Sequence, residues 1–210
     1  VTVNTCPGFS PCTPSTSLTP SASLVALRCY DNCMEWTAPY AFRLYWSISG
    51  GTLQTAFAAD PSDCDSYVGL GFCPAVGSMG GCDYYLGYMD GATPRLCDYI
   101  SGGYAPPTAD TVDDILWENV VMSGGWLVAE MDRLLDTGDA AQDVVVVNGV
   151  NNIEISCQAG AAPAGDCAAV GMHAFGRYVD EAIDFSVTVN TCPGFSPCTP
   201  STSATVSVPG

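Results

Sequence analysis

Two side chains in this sequence carry chemistry that can meet across a metal. Met79 sits in the glycine-rich run Gly77-Ser78-Met79-Gly80-Gly81-Cys82-Asp83, and His173, the sole histidine, sits in Gly171-Met172-His173-Ala174-Phe175-Gly176. A thioether and an imidazole brought from separate loops suit an iron porphyrin gripped from both faces. No CxxCH occurs, so such a haem would be b-type and non-covalent. Residue types alone leave the reading open. A lone histidine is more often structural, and five other methionines, Met172 first among them, compete for the sulfur role.

Other chemistries fail on inventory. The 210 residues hold 22 Asp plus Glu against five arginines and no lysine, a net charge of −17. Such a field repels nucleic acid and anionic membrane, since phosphate binding needs clustered cations. Without lysine there is no P-loop lysine and no Schiff base. Ser78 lacks the glycine two residues before it that a nucleophile elbow requires, and one histidine cannot build a copper monooxygenase site. Gly69-Leu70-Gly71 starts a dinucleotide fingerprint that stops at Pro74. The aspartates at 136, 139 and 143 read as a turn around Thr137-Gly138 rather than a calcium loop.

Twelve cysteines, with no CxxC knuckle for zinc, point to six disulfides in an oxidising compartment. Neighbours such as Cys64 with Cys73, or Cys157 with Cys167, are plausible pairs because each flanks a short loop. No apolar run reaches the ~18 residues of a membrane span. The chain is expected to be a soluble mature segment, extracellular or on the cell surface.

Residues 1–17, VTVNTCPGFSPCTPSTS, recur unchanged at 187–203. The expectation is a segment of a longer chain in which this unit repeats in tandem, its neighbours in space being copies of itself. Residues 1–23 form a Pro/Ser/Thr-rich linker, 24–186 a globular domain, and 187–210 the linker motif again, opening the next repeat. Proline at 7, 11, 14 and 20 favours a semi-rigid spacer. Its Ser-Pro and Thr-Pro steps are candidate carriers of O-glycans.

Between the linkers the pattern is all-β. Phe42–Ile48, Gly50-Gly51 and Thr52–Ala58 spell a hairpin. Strands are also expected near 67–72, 83–89, 95–100, 116–121, 126–131, 144–147, 152–157 and 179–185, with one helical turn over 110–114. About ten short strands with no long helical period predict an Ig-like antiparallel β-sandwich.

The ordered motifs over residues 24–186 resemble the DOMON domain, a haem- or sugar-binding β-sandwich. They are Leu44-Tyr45-Trp46-Ser47-Ile48, Tyr67-Val68-Gly69-Leu70-Gly71-Phe72, Gly77–Asp83, Asp98-Tyr99-Ile100-Ser101-Gly102-Gly103 and Pro107-Thr108-Ala109-Asp110. Arg133–Asp139 with Asp143 and His173-Ala174-Phe175-Gly176-Arg177 before Ile183-Asp184-Phe185 complete the run. The resemblance implies axial ligands in the GxM loop and just before the last strand, which map onto Met79 and His173. Sugar-binding members need no such pair.

The cofactor expected is therefore haem b. Arg177, then Arg95, are candidate partners for its propionates, and Phe72, Tyr84 and Phe175 are candidate pocket walls. A six-coordinate iron favours electron transfer over oxygen activation, so the expected function is an electron carrier rather than an enzyme, strung into a filament or surface layer. Rival readings are a structural or adhesive fibre repeat, and a carbohydrate-binding module with Trp36, Tyr40 and Tyr104 as its exposed aromatics.

Overall fold

The computed structural model describes residues 28–38, 40–62, 64–160, 163, 165, 167 and 178–197. Their regular structure is eleven strands and no helix. The element the sequence spells most plainly is the hairpin of β2 (Phe42–Ser49) and β3 (Thr52–Ala59), paired from Phe42 with Ala59 to Ser49 with Thr52. Gly50 and Gly51 close it with φ of 59° and 82°, the left-handed geometry that a two-residue hairpin turn demands. β1 (Asn32–Trp36) flanks β2, while β9 (Trp126–Leu134) and then β8 (Trp117–Ser123) continue the sheet past β3.

The second sheet has six strands in the order β11 (Tyr178–Asp184), β10 (Val150–Gln158), β4 (Tyr67–Cys73), β5 (Gly80–Asp90), β6 (Thr93–Gly102) and β7 (Thr108–Ala109). Strand pairings within both sheets are antiparallel. Alternation along each strand sends one set of side chains between the sheets: Phe42, Leu44 and Trp46 from β2, Val68, Leu70 and Phe72 from β4, Ile153 and Ile155 from β10. Phe185 stacks on Trp46 with centroids 5.1 Å apart and meets Phe72 edge-on at 6.4 Å. Burying each such side chain contributes about 1.5–3 kcal/mol.

Every residue of β4 is buried, although one of its faces points away from the sandwich. On that outer face Tyr67, Cys73, Cys82, Tyr84, Leu86, Tyr88, Cys97 and Tyr99 form a cluster of their own. The connection from β10 to β11 is fastened across it: Cys167 is bridged to Cys97, and the Tyr88 hydroxyl donates to the Gly165 carbonyl at 2.8 Å.

Several expectations are corrected. Residues 144–147 are not a strand; they form a loop in which the Val146 amide donates to the Leu135 carbonyl at 2.8 Å and Val146 is buried. The segment 110–114 is not helical, because Asp110 and Asp113 accept from the amides two residues on and bend the chain into Asx turns. The expected pairs of Cys64 with Cys73 and of Cys157 with Cys167 do not form: Cys64 pairs with Cys157, Cys97 with Cys167 and Cys33 with Cys192 across distant parts of the chain, and Cys73 closes a short loop with Cys82 instead. Sheet register decides this, since the Ser66 amide donates to Gln158 and brings residue 64 beside residue 157.

The second linker copy starts on the body of the sandwich. The Cys33 amide donates to Val189 and the Thr191 amide to Cys33, both at 2.9 Å, in a parallel bridge beside β1. Cys192 is bonded to Cys33, and Phe195 packs on Tyr45 at 5.9 Å. Residues 187–195 thus cover the outer edge of the five-stranded sheet before any spacer begins.

Candidate functional site

Met79 is held by its backbone. Gly77, at φ 78°, turns the chain after β4, and the Ser78 amide donates to the Ala75 carbonyl. The disulfide between Cys73 and Cys82 closes the loop, and the Ser101 hydroxyl on β6 donates to the Met79 carbonyl. β5 carries a bulge at this point, with Gly80 opposite Gly102 but Asp83 opposite Ile100, which re-aims the strand start towards the outer face.

There Met79 lines a cleft with Tyr67, Tyr84, Leu86, Ser101, Ala105, Pro107 and Ser156. The cleft's floor depends on two absent side chains. A Cβ at Gly71 would lie 2.5 Å from the Tyr84 ring, and one at Gly69 would collide with Leu86. Because both positions are glycine, Tyr84 and Leu86 lie flat across β4 and leave the space above them open.

The cleft surface is mostly apolar, with the hydroxyl-bearing residues Tyr67, Tyr84, Ser101 and Ser156 among its lining. Burial raises the Tyr67 and Tyr84 hydroxyls well above the usual tyrosine range, and the Glu154 carboxylate beside them adds to the shift, so both rings stay neutral. A flat apolar floor, a thioether at its edge and few polar groups fit a porphyrin face. Met79 is the candidate metal-binding side chain here, and Tyr84 and Leu86 are the surfaces a macrocycle would rest on.

Of the residues singled out from the sequence, Met79 and Tyr84 come together in this cleft. Phe72 does not: it points between the sheets, with its ring against Tyr85 and Phe185, because it shares the parity of Val68 and Leu70. Arg95 lies on β6 six residues before Ser101, about 20 Å along the strand at ~3.3 Å per residue, at the end away from Met79. His173, Phe175, Arg177 and the alternative sulfur of Met172 lie outside the described residues. Trp36 and Tyr40 pack against the sandwich core while Tyr104 is 79% exposed, so these aromatics build no shared platform. Sequence reading missed Ser101, Gly69 and Gly71 as site residues. The parity of Tyr67, Gly69 and Gly71 against Val68, Leu70 and Phe72 was the signal for the glycines.

A two-sheet antiparallel sandwich with a cleft on the outer face of its larger sheet defines the molecule as an all-β sandwich domain. The DOMON domain family matches residues 40–156, and the chain belongs to it. Among solved structures it is similar to the cytochrome b domain of pyranose dehydrogenase from Coprinopsis cinerea, at 14% identity and a TM-score of 0.52, over 70% of this chain and 76% of that one. At that identity the likeness speaks for the fold. No curated protein matches the sequence.

Proposed function

We propose that the domain is an extracellular b-type cytochrome module, an electron carrier whose haem sits on the outer face of the six-stranded sheet between Met79 and His173. One observation carries the reading: within a fold shared with a cytochrome b domain, the GxM methionine opens onto an apolar cleft floored by glycine-backed Tyr84 and Leu86. His173 belongs to the connection between Cys167, tied to β6, and Tyr178, the first residue of β11. Six residues span at most ~20 Å, so an imidazole starting from Cys167 has the reach to approach that face.

Held by protein on both sides, the iron would supply one-electron transfer rather than oxygen activation. The residues of the chain would do the rest. Ser101 and the Cys73–Cys82 bridge fix the Met79 backbone, Tyr67 and Tyr84 remain neutral, and the aromatic cluster keeps water from the floor. The disulfides support an oxidising, extracellular location.

The recurrence of residues 1–17 at 187–203 supports units strung in tandem. Because residues 187–195 dock on β1, the matching residues 1–9 would belong to the edge of a preceding unit, leaving a shorter spacer between domains. Neighbouring copies would then be the partners, and a filament of such units could pass electrons along itself. The same docked edge favours a second reading, a fibre repeat with a purely structural role. Purified protein decides between them: a Soret band, with sharp α and β bands on reduction, supports the cytochrome. A colourless protein after expression with ample haem supports the structural repeat.

A further inference from the structure

Beneath the sheet that floors the cleft, on the face turned towards the other sheet, three aspartates converge from distant parts of the chain. Asp83 comes from β5, Asp98 from β6 and Asp143 from the loop between β9 and β10. One carboxylate oxygen from each lies within 4.8 Å of the others. We propose that they form a binding site for a single calcium ion, separate from the haem site and independent of whether haem is bound.

The spacing suits the ion. Calcium takes oxygen ligands at 2.3–2.6 Å, so ligands on opposite sides of one ion stand up to about 5 Å apart. The stronger observation concerns oxygens without donors. Asp83 is 0% exposed and Asp98 6%, and Oδ1 of each is buried with no hydrogen-bond partner, as are both oxygens of Asp143. The nearby donors act elsewhere. The Arg133 guanidinium and the Tyr85 hydroxyl both donate to Asp83 Oδ2, and the Asp114 amide donates to Asp98 Oδ2 at 3.4 Å. An ionised carboxylate can only accept, so these oxygens call for a cation or a proton.

Two more carboxylates, Asp110 and Asp114, each have a buried Oδ2 without a donor and interact with the same group. Arg133 is the one cation that the described residues bring to these five acids, and its two other contacts go to the carbonyls of Leu134 and Val144. The net charge of the cluster is therefore strongly negative. Burial and mutual repulsion raise the pKa of both Asp83 and Asp98, the shift a bound divalent ion would reverse. An all-oxygen donor set selects a hard cation over zinc or copper. The mixture of strand and loop donors suits the variable coordination of calcium better than the strict octahedron of magnesium.

The test uses the folded, oxidised 210-residue chain after chelation and dialysis. Calcium titrated calorimetrically should bind with one-to-one stoichiometry, release protons, and raise the thermal midpoint relative to EDTA. Terbium should bind competitively, its emission sensitised by Tyr85, whose hydroxyl is 3.1 Å from Asp83 Oδ2. D143N should weaken calcium binding by roughly tenfold or more, while D136N, in an exposed turn, should leave it unchanged. The wild-type comparison with and without calcium stands even where a variant fails to fold. No heat, no thermal shift and equal terbium emission from wild type and D143N would overturn the proposal and assign the bare oxygens to shared protons. A response to magnesium equal to that for calcium would overturn the choice of ion.

Discussion

The Ser101 hydroxyl donates a hydrogen bond to the carbonyl of Met79, tying β6 to the loop that presents the thioether. The bond joins a half-buried loop to β6, next to the sheet edge, so it acts on the position of Met79 more than on the fold. S101A removes one neutral hydrogen bond, worth about 0.5–1.5 kcal/mol. The expected result is faster loss of haem to an acceptor apoprotein, roughly 2- to 10-fold, and a shifted midpoint potential, with little change in the thermal midpoint of the haem-free protein. Equal losses in both would mark Ser101 as merely structural.

Gly71 tests the floor of the cleft. A methyl group there meets the Tyr84 ring at 2.5 Å, and the ring can relieve the clash only by lifting into the space above. G71A is expected to cost about 1–3 kcal/mol, appearing chiefly as weaker haem uptake in a spectroscopic titration. Unchanged uptake would show that the floor plays no part in binding.

Stability should depend on pH in an unusual direction when divalent cations are absent. Burial raises the pKa of Asp83 to about 6 and that of Asp98 to about 9. An acid whose folded-state pKa lies above its unfolded value binds its proton more tightly when folded. That contribution is complete below the unfolded pKa, about 4, and is lost as pH rises through the folded one. Denaturation in EDTA should therefore show stability falling between about pH 4 and pH 9, and saturating calcium should flatten or reverse the slope. Identical pH profiles with and without calcium would count against the ion.

The docked linker copy makes a claim about stability. The bond between Cys33 and Cys192 closes a loop of 159 residues, and removing a bond of this kind typically costs about 2–4 kcal/mol. The double variant C33S/C192S should lower the unfolding free energy measured by chemical denaturation by that amount and expose the β1 amides to hydrogen exchange. Unchanged exchange at Cys33 and Glu35 would show that residues 187–195 do not rest on β1.

What the sequence made legible is local. Alternation and the Gly50-Gly51 turn gave the hairpin and most strands within a few residues, and the GxM motif led to a methionine that does line a cleft. β1 and the two-residue β7 escaped because neither has a long alternating run; each exists through its neighbour. Residues 144–147 looked like a strand by composition, yet Val144 lends its carbonyl to Arg133 and the chain turns inward. Disulfide pairing and the carboxylate cluster depend on register between distant strands. The aspartates at 136 and 139 stay in their turn while Asp143 joins Asp83 and Asp98. Sequence proximity was the wrong guide there, and the placement of Phe72 failed for want of a parity count.

The central claim is most directly tested by the reduced-minus-oxidised absorption spectrum of the purified protein beside M79A and H173A. The account predicts a six-coordinate low-spin b-type spectrum for the wild type, conversion to a five-coordinate or high-spin form in M79A, and loss of most bound haem in H173A. A wild-type protein that takes up no haem under saturating supply, or an M79A spectrum identical to wild type, would contradict it.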